Sequence, residues 1–141
     1  MTASNNNVFL DSSTYNNIIT PYNNVTQGSV SPFSSPEGAW STYFNGSNTL
    51  RVDNPNFIAP GDFTIEFYLY WIGGEYYQGC VSSRQNNGGG IGLNIVGGQL
   101  EFYTDDGGAS YGYPEPSTWT HVAASRGGST LYFYINGYNI A

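Results

Sequence analysis

Lysine is missing from this chain of 141 residues, and fixed positive charge comes only from Arg51, Arg84 and Arg126. Nucleic-acid binding draws its affinity from basic side chains on phosphates, so a net charge of −7 excludes that class of partner. There is one cysteine, Cys80, which rules out an internal disulfide. His121 is the sole histidine. No apolar run approaches the ~20 residues that a membrane helix requires. The opening Met-Thr-Ala-Ser-Asn-Asn-Asn has neither the basic nor the apolar region of a secretory signal. Charged residues amount to only 9% of the chain, so its polar surface must come from Asn, Ser, Thr, Gly and tyrosine hydroxyls.

Aromatic residues, by contrast, reach 17%, with 13 Tyr and 8 Phe. One domain of this length buries roughly two thirds of its unfolded surface, and these rings supply a core without cross-links. A hydroxyl- and ring-rich surface binds by hydrogen bonding and stacking, which suits sugars or a neighbouring protein in an assembly. The clearest pattern lies at residues 61–71. Phe63, Ile65, Phe67, Leu69 and Trp71 fall on one face of an extended strand, and Asp62, Thr64, Glu66, Tyr68 and Tyr70 on the other. A long one-sided strand needs a second layer over its apolar face, which predicts an all-β, two-sheet antiparallel β-sandwich.

Residues 1–40 read as an extended polar segment with a short strand at Asn7–Leu10 and loop over most of 11–40. Residues 41–141 read as the sandwich. Thr42–Asn45 and Thr49–Asp53 predict a small hairpin around Gly46-Ser47-Asn48. Further strands are expected at 62–71, Gly79–Arg84, Gly92–Val96, Gln99–Thr104, Trp119–Arg126 and Thr130–Asn136. Gly97-Gly98 suits a primed two-residue turn, and Asp105–Ser117 reads as an acidic, Gly- and Pro-containing loop. Asn136-Gly137 is a hairpin signal followed by a return strand that is cut off. The chain is therefore expected to be a fragment of a longer polypeptide, or a sandwich completed by a neighbouring chain.

Tyr43-Phe44-Asn45-Gly46-Ser47, Gly61-Asp62-Phe63-Thr64-Ile65-Glu66-Phe67, Gly98-Gln99-Leu100, Trp119-Thr120-His121-Val122-Ala123 and Tyr134-Ile135-Asn136-Gly137 occur in this order. The series resembles the concanavalin A-like lectin/glucanase superfamily, in particular laminin G-like (LamG) jelly-roll domains, over about residues 40–141. The stretch Gln27–Phe33 resembles structural proteins of tailed phages, including those of marine cyanobacteria. The resemblance implies two antiparallel sheets in a jelly roll, here lacking the C-terminal strands. It also implies a binding role, often for glycans and sometimes assisted by Ca²⁺.

Candidate chemistry is sparse. Cys80 lies on an expected strand and reads as a small core residue. His121 shares a strand face with Trp119 and Ala123 and has no Ser or Cys partner, so it reads as structural and a triad is unsupported. Glycosidases need two carboxyl groups roughly 5–9.5 Å apart, whereas Glu101 and Asp105 on one strand stand ~13 Å apart. The family's glycosidases carry Glu, Asp and Glu at alternate positions of one strand, a run that Glu66 does not belong to. The chain is read as no enzyme. Calcium wants six to eight oxygens; Asp53, Asp105 and Asp106 are the candidate ligands, and solvated turn acids are the plainer reading. No other cofactor is expected. The Gly-rich stretch 88–92 has no Lys and so is no phosphate cradle. Asn24-Val25-Thr26 and Asn45-Gly46-Ser47 match glycosylation acceptors that would need a secretory route.

Tyr76, Tyr77, Tyr111 and Tyr113 lie in or beside loops, where rings can stack on sugars or serve a protein interface. Tyr132 and Tyr134 should pave an outer sheet face. The expected function is a non-enzymatic virion structural or adhesion protein, such as a capsid decoration, fibre or tail component. It would contact host glycans or neighbouring virion proteins at the virion surface, within an oligomeric assembly. Alternatives are a carbohydrate-binding module of a larger secreted, extracellular bacterial protein and, last, a glycoside hydrolase.

Overall fold

A computed structural model describes residues 7–33, 40–53, 61–83, 90–104 and 107–141. The regular structure of the described residues is entirely strand. The chain divides into two compact units, Met1–Pro55 and Asn56–Ala141.

The first unit holds β1 (Ile19–Tyr22), β2 (Thr26–Gly28), β3 (Ser41–Tyr43) and β4 (Thr49–Val52). β1 pairs with β4, and β2 with β3, both antiparallel. The expected hairpin between the last two strands is therefore corrected: each finds its partner in the segment read as loop. Side-chain hydrogen bonds explain the change. Asn48 Oδ1 accepts from the Asn45 N–H at 2.9 Å and Asn45 Oδ1 from the Ser47 N–H at 3.0 Å, which folds the 44–48 link on itself. The facing turn has Asn23 and Asn24 in the left-handed region, both at φ 56°. Asn23 Nδ2 donates across to the Ser47 carbonyl at 2.8 Å.

Pro21 sits inside β1 opposite Leu50. A strand with one partner tolerates proline because the missing N–H can face away from the ladder. The strand expected at Asn7–Leu10 does not form. Asn7 and Gln27 exchange side chain-to-backbone bonds at 2.9 and 3.2 Å, and Gln27 Nε2 reaches the Val8 carbonyl at 3.2 Å. Those bonds stand where a ladder would.

The second unit contains β5 (Phe63–Tyr70), β6 (Tyr77–Ser82), β7 (Gly92–Val96), β8 (Gln99–Thr104), β9 (Gly107–Tyr111), β10 (Trp119–Gly127), β11 (Thr130–Ile135) and β12 (Tyr138–Asn139). They form two four-stranded sheets, β12-β11-β10-β5 and β6-β7-β8-β9. Every pairing is antiparallel. Leu93, Ile95, Leu100 and Phe102 from one sheet meet Val122, Ala124 and Phe133 from the other in a single buried cluster. Phe63, Ile65, Phe67, Leu69 and Trp71 pack onto it. β5 alternates half-buried and exposed residues along its whole length, as its sequence predicts. The result is a β-sandwich of jelly-roll type.

Turn chemistry sets the hairpins. Gly97 and Gly98 have φ 57° and 84°, and Asn136 and Gly137 have φ 51° and 80°. Positive φ at both central positions matches the right-handed twist of the flanking strands. Arg126 and Asp62 tie down the far end of β5 and β10. The Arg126 guanidinium lies 5.0 Å from the Phe63 ring centroid and donates to the Gly61 carbonyl, and Asp62 Oδ1 accepts from the Gly128 N–H at 2.7 Å.

β9 corrects the loop expected over Asp105–Ser117. A Gly-Gly-Ala-Ser-Tyr run has little strand propensity of its own. Its partner strand β8 compensates, because Tyr103 stands between Gly92 of β7 and Gly108 of β9 in the register. A Cβ on Gly92 would fall 2.4 Å from Tyr103 Cζ, and one on Gly108 2.7 Å from Tyr103 Cβ. The glycines thus leave the room that the tyrosine fills, a cross-strand aromatic covering of glycine.

Candidate functional site

One aromatic cluster gathers at the β7–β8 turn. Trp71 extends the β5 alternation by one residue, so its indole packs at the edge of the core. Its Nε1–H donates to Gln78 Oε1 at 3.0 Å, and its carbonyl accepts from the Ser117 N–H at 2.7 Å. Gln78 Nε2 in turn donates to the Glu75 carbonyl at 2.9 Å. These bonds anchor both flanking connections to the end of the sandwich.

The diglycine turn arrives at the same place, with the Gly97 N–H donating to the Tyr76 carbonyl at 2.8 Å. A Cβ on Gly97 would lie 3.1 Å from Tyr76 Cε2. One on Gly98 would lie 3.5 Å from Trp71 Cη2 and 3.9 Å from Tyr113 Cδ1. Tyr76 therefore flanks one glycine, and Trp71 and Tyr113 the other. Both tyrosines are largely solvent-facing, Tyr76 at 75% and Tyr113 at 66% exposure. A turn without side chains lets ring faces stand clear on a rigid support.

Of the four tyrosines singled out from the sequence, Tyr76 and Tyr113 come together here. Tyr77 begins β6 beside them, exposed and opposite Val96. Tyr111 does not join: it ends β9, and its ring centroid lies 5.5 Å from that of Phe133. With Phe102, Leu131 and Phe133 it lines an open groove at the sandwich edge. Sequence reasoning missed Trp71 and the glycine pair as partners of Tyr76. The one available signal was that Trp71 continues the apolar face up to Gly73-Gly74.

A second aromatic surface covers the outward face of β5, β10 and β11. The register sets Trp119 opposite Tyr70 and His121 opposite Tyr68. The Tyr70–Trp119 centroids are 5.3 Å apart with edge contact, and those of Tyr68 and His121 are 5.0 Å apart and tilted. His121 Nε2 stands 3.3 Å from Glu66 Oε2. The His121 N–H donates to Asn136 Oδ1 at 2.9 Å, and its carbonyl accepts from the Asn136 N–H at 2.8 Å. Its backbone thereby helps seal the β10–β11 ladder, and its ring is shared between a tyrosine and a carboxylate. Tyr132 and Tyr134 lie opposite Ser125 and Ala123 on this same face.

The carboxylates do not assemble a dyad from the two glutamates named above. Glu66 lies on the outward face of one sheet, and Glu101, paired with Asn94, on the outward face of the other. Two stacked sheets separate such faces by more than the ~10 Å interlayer spacing. Asp53 is in the first unit, 2.6 Å from Arg51 Nε, while Asp105 and Asp106 lie outside the described residues. Among the described residues no three His, Cys, Asp or Glu side chains group closely enough to hold a metal ion.

Cys80 is half-buried against the core at the β6 bulge, and burial pushes its thiol up to about 11. A thiol held protonated is a poor nucleophile and a poor ligand. Asp11 forms a polar knot that the sequence did not reveal. Its carboxylate accepts from the N–H and hydroxyl of Ser13, both at 2.8 Å, and from the N–H and side-chain amide of Asn17 at 2.7 and 2.8 Å. The Ser13 backbone N–H, followed by that of Asn17, holds this carboxyl down to about 2.

A laminin G family model, described as the concanavalin A-like lectin/glucanases superfamily, matches residues 44–141. The chain belongs to this superfamily. Its LamG-like domain points to carbohydrate or protein binding, and such domains are typically non-catalytic. No curated protein and no solved structure gives a match.

Proposed function

We propose that this LamG-like chain is a non-enzymatic adhesion or structural module of a virion surface, a capsid decoration, fibre or tail component. It contacts host glycans or neighbouring virion proteins through the cluster at the diglycine turn, within an oligomeric assembly. The observation that carries the binding part is the placing of Tyr76 and Tyr113 on either side of Gly97-Gly98, with the hydrogen-bonded Trp71 beside them. Exposed rings on a fixed support offer flat apolar area with a hydroxyl at the tip, at modest entropic cost. The virion setting rests on the likeness of Gln27–Phe33 to structural proteins of tailed phages.

The binding test is a glycan array and a host-cell pull-down with the chain and with a Tyr76→Ala/Tyr113→Ala double variant. The native chain should be retained and the double variant should lose most of that retention. Equal retention of the two, in fractions of equal folded content, removes the turn cluster from the proposal. Antibody labelling of intact particles tests the setting: label on the particle exterior is expected, and label confined to secreted soluble protein assigns the chain to a secreted carbohydrate-binding module.

A further inference from the structure

We propose that Asn45-Gly46 is a self-modifying site. The fold there speeds loss of the Asn45 side-chain amide and turns the residue into an aspartate or isoaspartate. This goes beyond the binding reading and does not depend on the turn cluster. Asn-Gly steps occur at 45–46, 87–88 and 136–137. Glycine has no side chain to shield its amide nitrogen, so an asparagine before it readily closes a five-membered ring on that nitrogen. Asn87-Gly88 lies outside the described residues, and the other two steps sit in opposite surroundings.

The reaction needs only water. The Gly46 nitrogen gives its proton to hydroxide and places the freed electron pair on Asn45 Cγ. The carbonyl electrons move onto Oδ1, and their return expels Nδ2, which takes a proton from water and leaves as ammonia. The succinimide so formed then adds one water. Breaking its N–Cγ bond leaves an aspartate, and breaking its bond to the backbone carbonyl carbon leaves an isoaspartate. One water is consumed and one ammonia is released.

The negative charge that builds on Oδ1 sets the barrier, and donors already aimed at that oxygen lower it. At Asn45 there are two. Oδ1 accepts from the Ser47 N–H at 3.0 Å and from the Ser47 hydroxyl at 2.9 Å. Asn45, Gly46 and Ser47 are all exposed, and a Cβ on Gly46 would meet nothing within 4 Å. Asn45 also lies between β3 and β4, outside both ladders. Its Cα–C bond can therefore turn and bring the Gly46 nitrogen onto Cγ without unpairing a strand.

Asn136 is held the other way. Its N–H donates to the His121 carbonyl at 2.8 Å, and its Oδ1 accepts a single bond, from the His121 N–H at 2.9 Å. It stands in the two-residue turn that Ile135 and Tyr138 close by pairing. Turning its Cα–C bond would open that hairpin. The same dipeptide is thus primed in one place and locked in the other.

The product bears on the first unit. The Ser47 carbonyl accepts from Asn23 Nδ2 at 2.8 Å, so the 44–48 link fastens one turn of that unit to another. A carboxylate at position 45 adds charge to a chain already at −7, and isoaspartate lengthens the link by one backbone carbon. Either change slackens the fastening as the molecule ages.

The experiment incubates the full chain at one pH and temperature, in buffer and in urea sufficient to unfold it. Peptide mapping by mass spectrometry follows the succinimide and the acid at each step. Asn45 should convert roughly tenfold faster in buffer than in urea, the joint weight of two exposed hydrogen bonds. Asn136 should convert more slowly in buffer than in urea. Ser47→Ala deletes the hydroxyl and keeps the N–H, so it should slow Asn45 by about threefold in buffer, the low end for one neutral bond. Its rate in urea should match that of the native chain.

The proposal is overturned if Asn45 converts no faster in buffer than in urea, a comparison that needs no variant to fold. Conversion of Asn136 in buffer at the rate of Asn45 would overturn it too. So would an unchanged rate at Asn45 in folded Ser47→Ala.

Discussion

The two units of this chain are both antiparallel, yet different interactions hold them. In Met1–Pro55 the ladders are three and four residue pairs long, and Val25 is the one buried apolar side chain among that unit's described residues. Its turns are organised by carboxylate and amide side chains from Asp11, Asn23, Asn45 and Asn48 bonded to nearby backbone. In Asn56–Ala141 the ladders run up to eight pairs, and seven buried residues from both sheets form a common core. The contrast follows from composition. Where Asn and Ser dominate there is too little apolar area to bury, and side chains must supply the partners that a long ladder would supply elsewhere.

The largest expected effect tests the apolar half. Phe133 is 3% exposed and packs on Tyr111, so Phe133→Ala should cost roughly 3–5 kcal/mol, the range for deleting a buried ring. Urea unfolding followed by tyrosine and tryptophan fluorescence would read the loss, and an unmoved midpoint would break the comparison. A smaller effect is expected in the polar half from Asn48→Ala. It removes the acceptor of the Asn45 N–H and should cost about 1 kcal/mol, the net value of one hydrogen bond. Hydrogen exchange should quicken at the Asn45 amide and in β3 and β4 while β7 and β8 stay protected. Uniform exchange changes across both units would refute the division.

The smallest effect is a pH step. Asp11 is held down to about 2 from its ordinary 3.8 by hydrogen bonds from Ser13 and Asn17. A depressed folded value means that the unfolded chain takes up the proton first as pH falls. The contribution of Asp11 is therefore complete above the ordinary value and is lost as pH drops through about 2. Amide shifts of Ser13 and Asn17 should report that transition, and Asp11→Asn should abolish it. A midpoint near 3.8 in the native chain would show that the knot does not persist in solution.

Features that depend on neighbouring residues were legible in the chain. The alternation of Phe63, Ile65, Phe67 and Leu69 reappears as the burial pattern of β5. Gly97-Gly98 and Asn136-Gly137 form the turns that their freedom to take positive φ suggests. β9 was not legible, because Gly107-Gly108-Ala109-Ser110 has no strand character until Tyr103 lies beside it. Nor was the pairing of β1 with β4, since it depends on which distant strand is available once Asn45 and Asn48 have folded their own turn. Among the site residues, Tyr76 and Tyr113 stood out as loop rings. Their meeting across a glycine turn, and that of Glu66 with His121, belong to pairs far apart in the sequence.

The order of side chains along the chain, taken alone, determined that β5 to β8, β10 and β11 are strands, which face of β5 is apolar and where the tight turns at Gly97-Gly98 and Asn136-Gly137 fall. Those properties come from backbone sterics and a two-residue period, which act over a few neighbouring bonds. Only the tertiary structure decided which rings share a surface and which carboxylate meets the histidine. Cross-strand neighbours are chosen by register, and register is settled when the two apolar faces close on each other.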